Sequence, residues 1–64
     1  MDKLKVIKRA SANTFQLDNI RVGDFIADEF GKSGKVVSIE KLNRYQQSYY
    51  YFYLNKSKTI LFIL

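Results

Sequence analysis

Residues 49–64 read YYYFYLNKSKTILFIL, and this stretch decides the fold. Two runs of aromatic and aliphatic residues, Tyr49–Leu54 and Thr59–Leu64, flank the polar tetrapeptide Asn55-Lys56-Ser57-Lys58. Such runs joined by a short polar break are the signature of a β-hairpin. Side chains alternate between the faces of a strand, so Tyr50, Phe52 and Leu54 share one face, and Tyr49, Tyr51 and Tyr53 the other. The first set is the more apolar and is assigned to the core. A loop of two or four residues centred on Lys56-Ser57 pairs Phe52 with Leu61 and Tyr50 with Ile63. On the opposite face it pairs Tyr53 with Ile60, Tyr51 with Phe62 and Tyr49 with Leu64. Both faces of this hairpin are then apolar, and a small chain has little left to cover the second. The expected consequence is an exposed patch of Tyr49, Tyr51, Tyr53, Ile60, Phe62 and Leu64, of the kind that marks an interface. The plain alternative is that the N-terminal segment or residues 43–48 fold over it.

Working outward, no stretch has a helical period. The apolar residues come in short alternating runs, and there is no Pro, no linker and no internal repeat. Further strands are expected at about Lys3–Ala10, Thr14–Leu17, Asp24–Phe30 and Lys35–Leu42, with Asn43–Ser48 as a looser segment. Ser11-Ala12-Asn13, Asp18-Asn19 and Gly31-Lys32-Ser33-Gly34 read as turns. The result is an all-β domain spanning residues 1–64. Five or so short antiparallel strands close into a small barrel, which removes the raw sheet edges of so short a chain.

One segment carries a resemblance. Val22-Gly23-Asp24-Phe25-Ile26, followed by Gly31-Lys32-Ser33-Gly34-Lys35-Val36-Val37-Ser38-Ile39, resembles a KOW-type motif: a Gly-Asp opening, a glycine-bearing turn and a strand of the form G-x-V-x-x-I. The likeness covers residues 22–39. It implies an SH3-like barrel of the kind found in ribosomal and transcription-associated proteins, and with it nucleic-acid binding. Asp28-Glu29 depart from that pattern, placing acid where nucleic-acid-binding members carry base.

Composition narrows the chemistry. The chain has 64 residues, no Cys and no His. A domain of that length buries only about 60% of its unfolded surface, and here neither disulfides nor zinc can compensate, so ten Phe and Tyr residues must supply the core. Without His or Cys the usual nucleophilic triads, dyads and zinc sites are excluded. Asp24 and Asp28 share a strand face but read as solvated carboxylates rather than a catalytic pair. Gly31 and Gly34 form a turn, not a phosphate cradle. No enzyme activity, cofactor, metal or small-molecule substrate is expected. Lys and Arg open the chain, but no apolar run follows Met1–Arg9, and no apolar stretch approaches the roughly 20 residues of a membrane helix. A cytoplasmic protein without membrane contact is expected.

Net charge is +5, distributed as +3 over residues 1–17, −3 over 18–30 and +5 over 31–64. Two functions compete for the same hairpin. In the first, the apolar patch docks on a protein partner or a second copy, as an adaptor or as a small regulator or inhibitor of a larger machine. Short, basic, Cys-free chains rich in Lys, Asn, Tyr and Ile are also the kind that phages and mobile elements encode. In the second, Tyr49, Tyr51 and Tyr53 stack on bases while Lys41, Arg44, Lys56 and Lys58 hold phosphates. Ile60, Phe62 and Leu64 have no task in the second reading, which ranks protein interaction first. Strand addition by Thr59–Leu64 to the edge of another sheet is a variant of the first.

Overall fold

The computed structural model of the chain describes residues 3–64; Met1 and the acid Asp2 lie outside them. Five strands form one sheet in the order β1 (Leu4–Ile7), β2 (Phe25–Asp28), β3 (Ser33–Arg44), β4 (Gln47–Leu54), β5 (Lys58–Ile63). The protein is therefore mostly β, as its short alternating runs suggest. The pairings β2–β3, β3–β4 and β4–β5 are antiparallel, whereas β1 runs parallel to β2, with Leu4 opposite Phe25 and Ile7 opposite Asp28. A parallel pair needs a crossover, and residues 8–24 supply it through a 3-10 turn at Arg9–Ser11 and a short helix α1 (Thr14–Asp18).

That helix replaces the strand expected over Thr14–Leu17. Asn13 is an extended N-cap residue whose Oδ1 accepts from the amide of Gln16 at 2.8 Å, and such a cap offers the backbone a helical start. The alternation of Phe15 and Leu17 also fits one helical turn, in which only Leu17 is buried. The first strand is likewise shorter than Lys3–Ala10, ending at Ile7.

β3 is shared by both halves of the sheet. Its first residues pair with β2 and its remainder with β4, and a bulge between Val36 and Ser38 leaves Val37 unpaired and exposed. Bulges bend a strand and increase its twist, so the two halves curl around one cluster: Ile7, Leu17, Ile20, Ile26, Val36, Tyr50, Phe52, Leu54, Ile60 and Phe62. At the start of β3 a Cβ on Gly34 would lie 2.7 Å from Asn55 Oδ1 and 3.2 Å from Leu54 Cβ, so only Gly lets the β4–β5 loop sit this close.

The hairpin register differs from the expected one by a single residue. The β4–β5 loop has three residues, Asn55–Ser57, with Lys56 and Ser57 left-handed at φ 62° and 61°. Leu54 then faces Lys58, Phe52 faces Ile60, Tyr50 faces Phe62 and Tyr49 faces Ile63. An odd loop length turns every β5 side chain over. Ile60 and Phe62, expected outside, are 0% and 1% exposed. Leu64 packs against the same core, while Leu61 and Ile63 take the outer face.

The five strands form one sheet that backbone pairing does not close, with β1 and β5 at its edges. Side chains cross the gap. Leu64 and Ser48 exchange both backbone bonds, so by alternation the backbone groups of Thr59, Leu61 and Ile63 point away from β4. Arg9 Nε donates to Leu61 O at 3.2 Å and Lys32 Nζ to Thr59 O at 3.1 Å. The Arg9 guanidinium also lies 5.0 Å from the Phe62 ring centre and donates to Asp28 Oδ2 and Glu29 Oε1 at 3.1 and 2.9 Å. Asp28 is buried, and its other oxygen accepts the amides of Phe30 and Lys32, both at 3.0 Å.

Burial pushes the Asp28 carboxyl up, but the Arg9 hydrogen bond and the two amides outweigh it and hold the group below its ordinary value. A depressed pKa in the folded state contributes stability that is complete above the unfolded pKa of about 3.9 and is lost as pH falls through the folded value. Arg9 is itself partly exposed and Asp28 keeps its two amides without it, so Arg9→Ala should cost about 1–3 kcal/mol at neutral pH, the cost of leaving a buried charged acceptor one donor short. Asp28→Asn should be destabilised at pH 7 by an amount that shrinks below about pH 4. Urea unfolding followed across pH reads both effects, and a pH-independent difference would exclude the ionised form. The register makes a second prediction. Phe62→Asp should abolish the cooperative thermal transition, because an unpartnered buried charge exceeds a small domain's stability of about 5 kcal/mol. Leu61→Asp should melt much like the parent, as read by circular dichroism.

Candidate functional site: the outer face of β3, β4 and β5

Residues directly opposite one another on paired strands share a face. Glu40 lies opposite Tyr51, Leu42 opposite Tyr49 and Arg44 opposite Gln47, while Tyr51 lies opposite Leu61 and Tyr49 opposite Ile63. The outer face therefore carries Ser38, Glu40, Leu42 and Arg44 on β3, Tyr53, Tyr51, Tyr49 and Gln47 on β4, and Thr59, Leu61 and Ile63 on β5. Leu42, the three tyrosines and Leu61 are half-buried by their own neighbours, and Ile63 is 48% exposed. α1 meets this half of the sheet on its inner face, while Arg9 borders the outer face at β5 and lines a cavity with Leu61, Ile63 and Leu64. The Tyr50 hydroxyl donates to Asp18 Oδ1 at 3.0 Å on the inner face, and Arg9 reaches Phe62 and the β5 edge.

The tyrosines are organised. Tyr51 and Tyr53 are stacked, with ring centres 6.3 Å apart and planes 11° from parallel. The Tyr53 hydroxyl donates to Glu40 Oε1 at 2.8 Å. That hydrogen bond to the carboxylate holds the phenol above its ordinary pKa, so it remains a donor at neutral pH. The Tyr49 hydroxyl donates to Gln47 Oε1 at 3.3 Å. At the far end a shallow cavity of about 170 Å³ is lined by Leu42, Arg44, Tyr45, Tyr49 and Tyr51. Tyr45 and Gln46 form a two-residue turn in which both are left-handed, with φ 53° and 62°, and Tyr45 is 88% exposed. Residues 43–48, expected as a loose segment, are thus the ends of two long strands and this turn.

Of the six residues expected in a protein interface, the structure brings Tyr49, Tyr51 and Tyr53 together on the outer face. It moves Ile60, Phe62 and Leu64 to the inner side; Leu61, Ile63 and Leu42 stand where aliphatic partners were expected. These three escape sequence reasoning because a loop of two or four residues gives the opposite β5 face from the three-residue loop that forms.

Of the cations expected to hold phosphates, Arg44 lies at one end of the tyrosine row. Lys56 is at the other, in the β4–β5 loop, whereas Lys58, opposite Leu54, falls on the inner side. Lys41 does not join the row either. It lies on the inner face, 4.9 Å from the Tyr50 ring centre and 3.4 Å from Asp18 Oδ1, and the Tyr50 hydroxyl and then Asp18 hold its ammonium above the ordinary value.

Every described acid is engaged: Asp18 with Lys41, Asp24 with Lys5, Asp28 and Glu29 with Arg9, and Glu40 with Tyr53. Lys3, Lys8, Arg21, Lys32, Lys35, Arg44, Lys56 and Lys58 have no ion-pair partner among the described residues. Glu40, which accepts only from a neutral phenol, likewise has no ion-pair partner among the described residues. Among the described residues there is no group of three or more His, Cys, Asp or Glu placed to hold a metal ion, and no helix long and apolar enough to cross a membrane. No family model matches the chain, and no curated protein or solved structure matches it significantly.

Proposed function

We propose that the protein is a non-enzymatic binding module that docks on a protein surface through the outer face of β3, β4 and β5. The observation that carries this reading is the adjacency of Leu42, Tyr49, Tyr51, Leu61 and Ile63 on one face of β3, β4 and β5, which Arg9 borders at the β5 margin. A contiguous apolar surface of this kind is disfavoured in water and is stabilised by being covered. Tyrosine suits the task, because a large ring with two side-chain torsions buries area at low entropic cost and keeps a polar tip. An adaptor or a small regulator of a larger cytoplasmic machine is the corresponding role. The curl of the sheet, and the Arg9 and Lys32 bonds across its gap, support an SH3-like arrangement as the framework.

Nucleic-acid binding is the second reading, favoured by the unpaired cations at both ends of the tyrosine row. One observation weighs against it: the Glu40 carboxylate sits in the middle of the surface a phosphate backbone would follow.

A benzophenone photo-crosslinker placed at position 49 should give protein adducts in extract of the source cells, and one at the exposed Phe15 on α1 should not. Leu61→Asp should reduce adduct yield at position 49 about tenfold, the effect of roughly 1.4 kcal/mol lost at the interface. Equal yields from both positions, or yields indifferent to Leu61→Asp, would sink the assignment. Binding of a labelled single strand that persists at physiological salt and disappears in the Tyr51→Ala, Tyr53→Ala double variant would put the second reading first.

A further inference from the structure

The outer face carries a charge pattern that is complementary to itself. Along β3 it reads Glu40, Leu42, Arg44 at alternate positions, so an acid and a base stand on either side of Leu42, each about 7 Å away at the strand rise of about 3.4 Å per residue. The three belong to one row-by-row array: Glu40 beside Tyr51 and Leu61, Leu42 beside Tyr49 and Ile63, Arg44 beside Gln47. Both charged side chains are exposed. Glu40 uses Oε1 for the Tyr53 hydroxyl, which leaves Oε2 able to accept. The Arg44 guanidinium makes no hydrogen bond or ion pair among the described residues, although it lines a small cavity with Leu42, Tyr45, Tyr49 and Tyr51.

Resting on the outer-face reading above, we infer that the occupant of this face is a second copy of the chain, packed sheet on sheet about a two-fold axis that crosses the strands at the level of Leu42, Tyr49 and Ile63. Such an axis reverses the strand direction and keeps β3 over β3, β4 over β4 and β5 over β5. Leu42, Tyr49 and Ile63 meet their own counterparts, and Glu40 of each copy meets Arg44 of the other, giving two ion pairs around an apolar centre. The Tyr51 hydroxyl comes level with the partner's Gln47 amide. Isologous contacts of this kind require a surface that is its own complement, and packed sheets keep their strands within about 30° of alignment, which this geometry satisfies. A face of one sign would repel its copy. Here the chain's net charge of +5 lies largely outside the array, in which Glu40 balances Arg44.

The test is sedimentation equilibrium of the whole chain from the low micromolar to the high hundreds of micromolar. The parent should dimerise. Glu40→Arg and Arg44→Glu should each weaken the dimer about tenfold or more, because each juxtaposes like charges across the interface, and the double reversal Glu40→Arg with Arg44→Glu should restore it. Both residues are exposed, so the variants should keep the parent's circular dichroism. A parent that stays monomeric overturns the inference, as does a dimer indifferent to the single reversals. The crosslinks separate this failure from failure of the outer-face reading. Adducts at position 49 at twice the chain mass support the second copy. Adducts only to heavier proteins overturn the second copy while leaving the face as an interface, and no adducts at all overturn both.

Discussion

The structure depends on the burial of one carboxylate. Asp28 ends β2 with almost no exposure, and a charge placed there is tolerable only because three donors converge on it: Arg9 from the crossover and the amides of Phe30 and Lys32 from the β2–β3 turn. Each partner is thereby fixed in place. The two amides shape the turn that brings β3 back beside β2, and Gly31, at φ 85°, completes it without a Cβ penalty. Arg9 is held where its Nε reaches β5, more than fifty positions along the chain.

This arrangement answers the difficulty of a 64-residue chain with no cross-link. A sheet of five strands has two edges, and closing it by backbone pairing would demand continuous β1–β5 contact that the short β1 cannot give. Two cations do the work instead, capping the outward carbonyls of Leu61 and Thr59. Because Arg9 also lies over Phe62 and Phe30, the clasp shields the core as well as holding the edge. The capped carbonyls have a second consequence. An incoming strand would find this edge partly occupied and flanked by positive charge, which is how natural sheets blunt their edges. The strand-addition variant of an interaction role is disfavoured relative to docking on the face.

How much of this was legible in the sequence follows from which signals are local. The alternation in Tyr49–Leu54 correctly separates Tyr50, Phe52 and Leu54 from the outer tyrosines, because strand periodicity is a property of consecutive residues. The face of β5 was not legible, because it depends on whether the loop holds two, three or four residues. Asn-Lys-Ser-Lys contains no Gly to mark the left-handed positions that Lys56 and Ser57 take. Tyr45-Gln46 hid the β3–β4 turn in the same way, since neither residue belongs to the usual turn vocabulary. The helix at Thr14–Asp18 escaped because one turn of helix and four residues of strand carry nearly the same pattern, and only the Asn13 cap tells them apart. The Arg9–Asp28 clasp joins residues nineteen positions apart, and nothing in either neighbourhood announces it.

The places where local preference is overridden bear on function. A non-glycine residue in the left-handed region costs on the order of 1 kcal/mol, and this chain holds two such pairs, each at one end of the tyrosine row. At the β4–β5 loop the strain sets the odd loop length that turns Leu61 and Ile63 outward. At Tyr45-Gln46 an Asn-Gly pair would satisfy the backbone better, yet the position holds a ring that is almost wholly in solvent beside Arg44. Strain at a tip whose ring is almost wholly in solvent sits here at the rim of the outer face of β3, β4 and β5. The two strained loops therefore bracket one surface. One determines which side chains compose it and the other places Tyr45 at its edge, an arrangement that fits the proposed docking role.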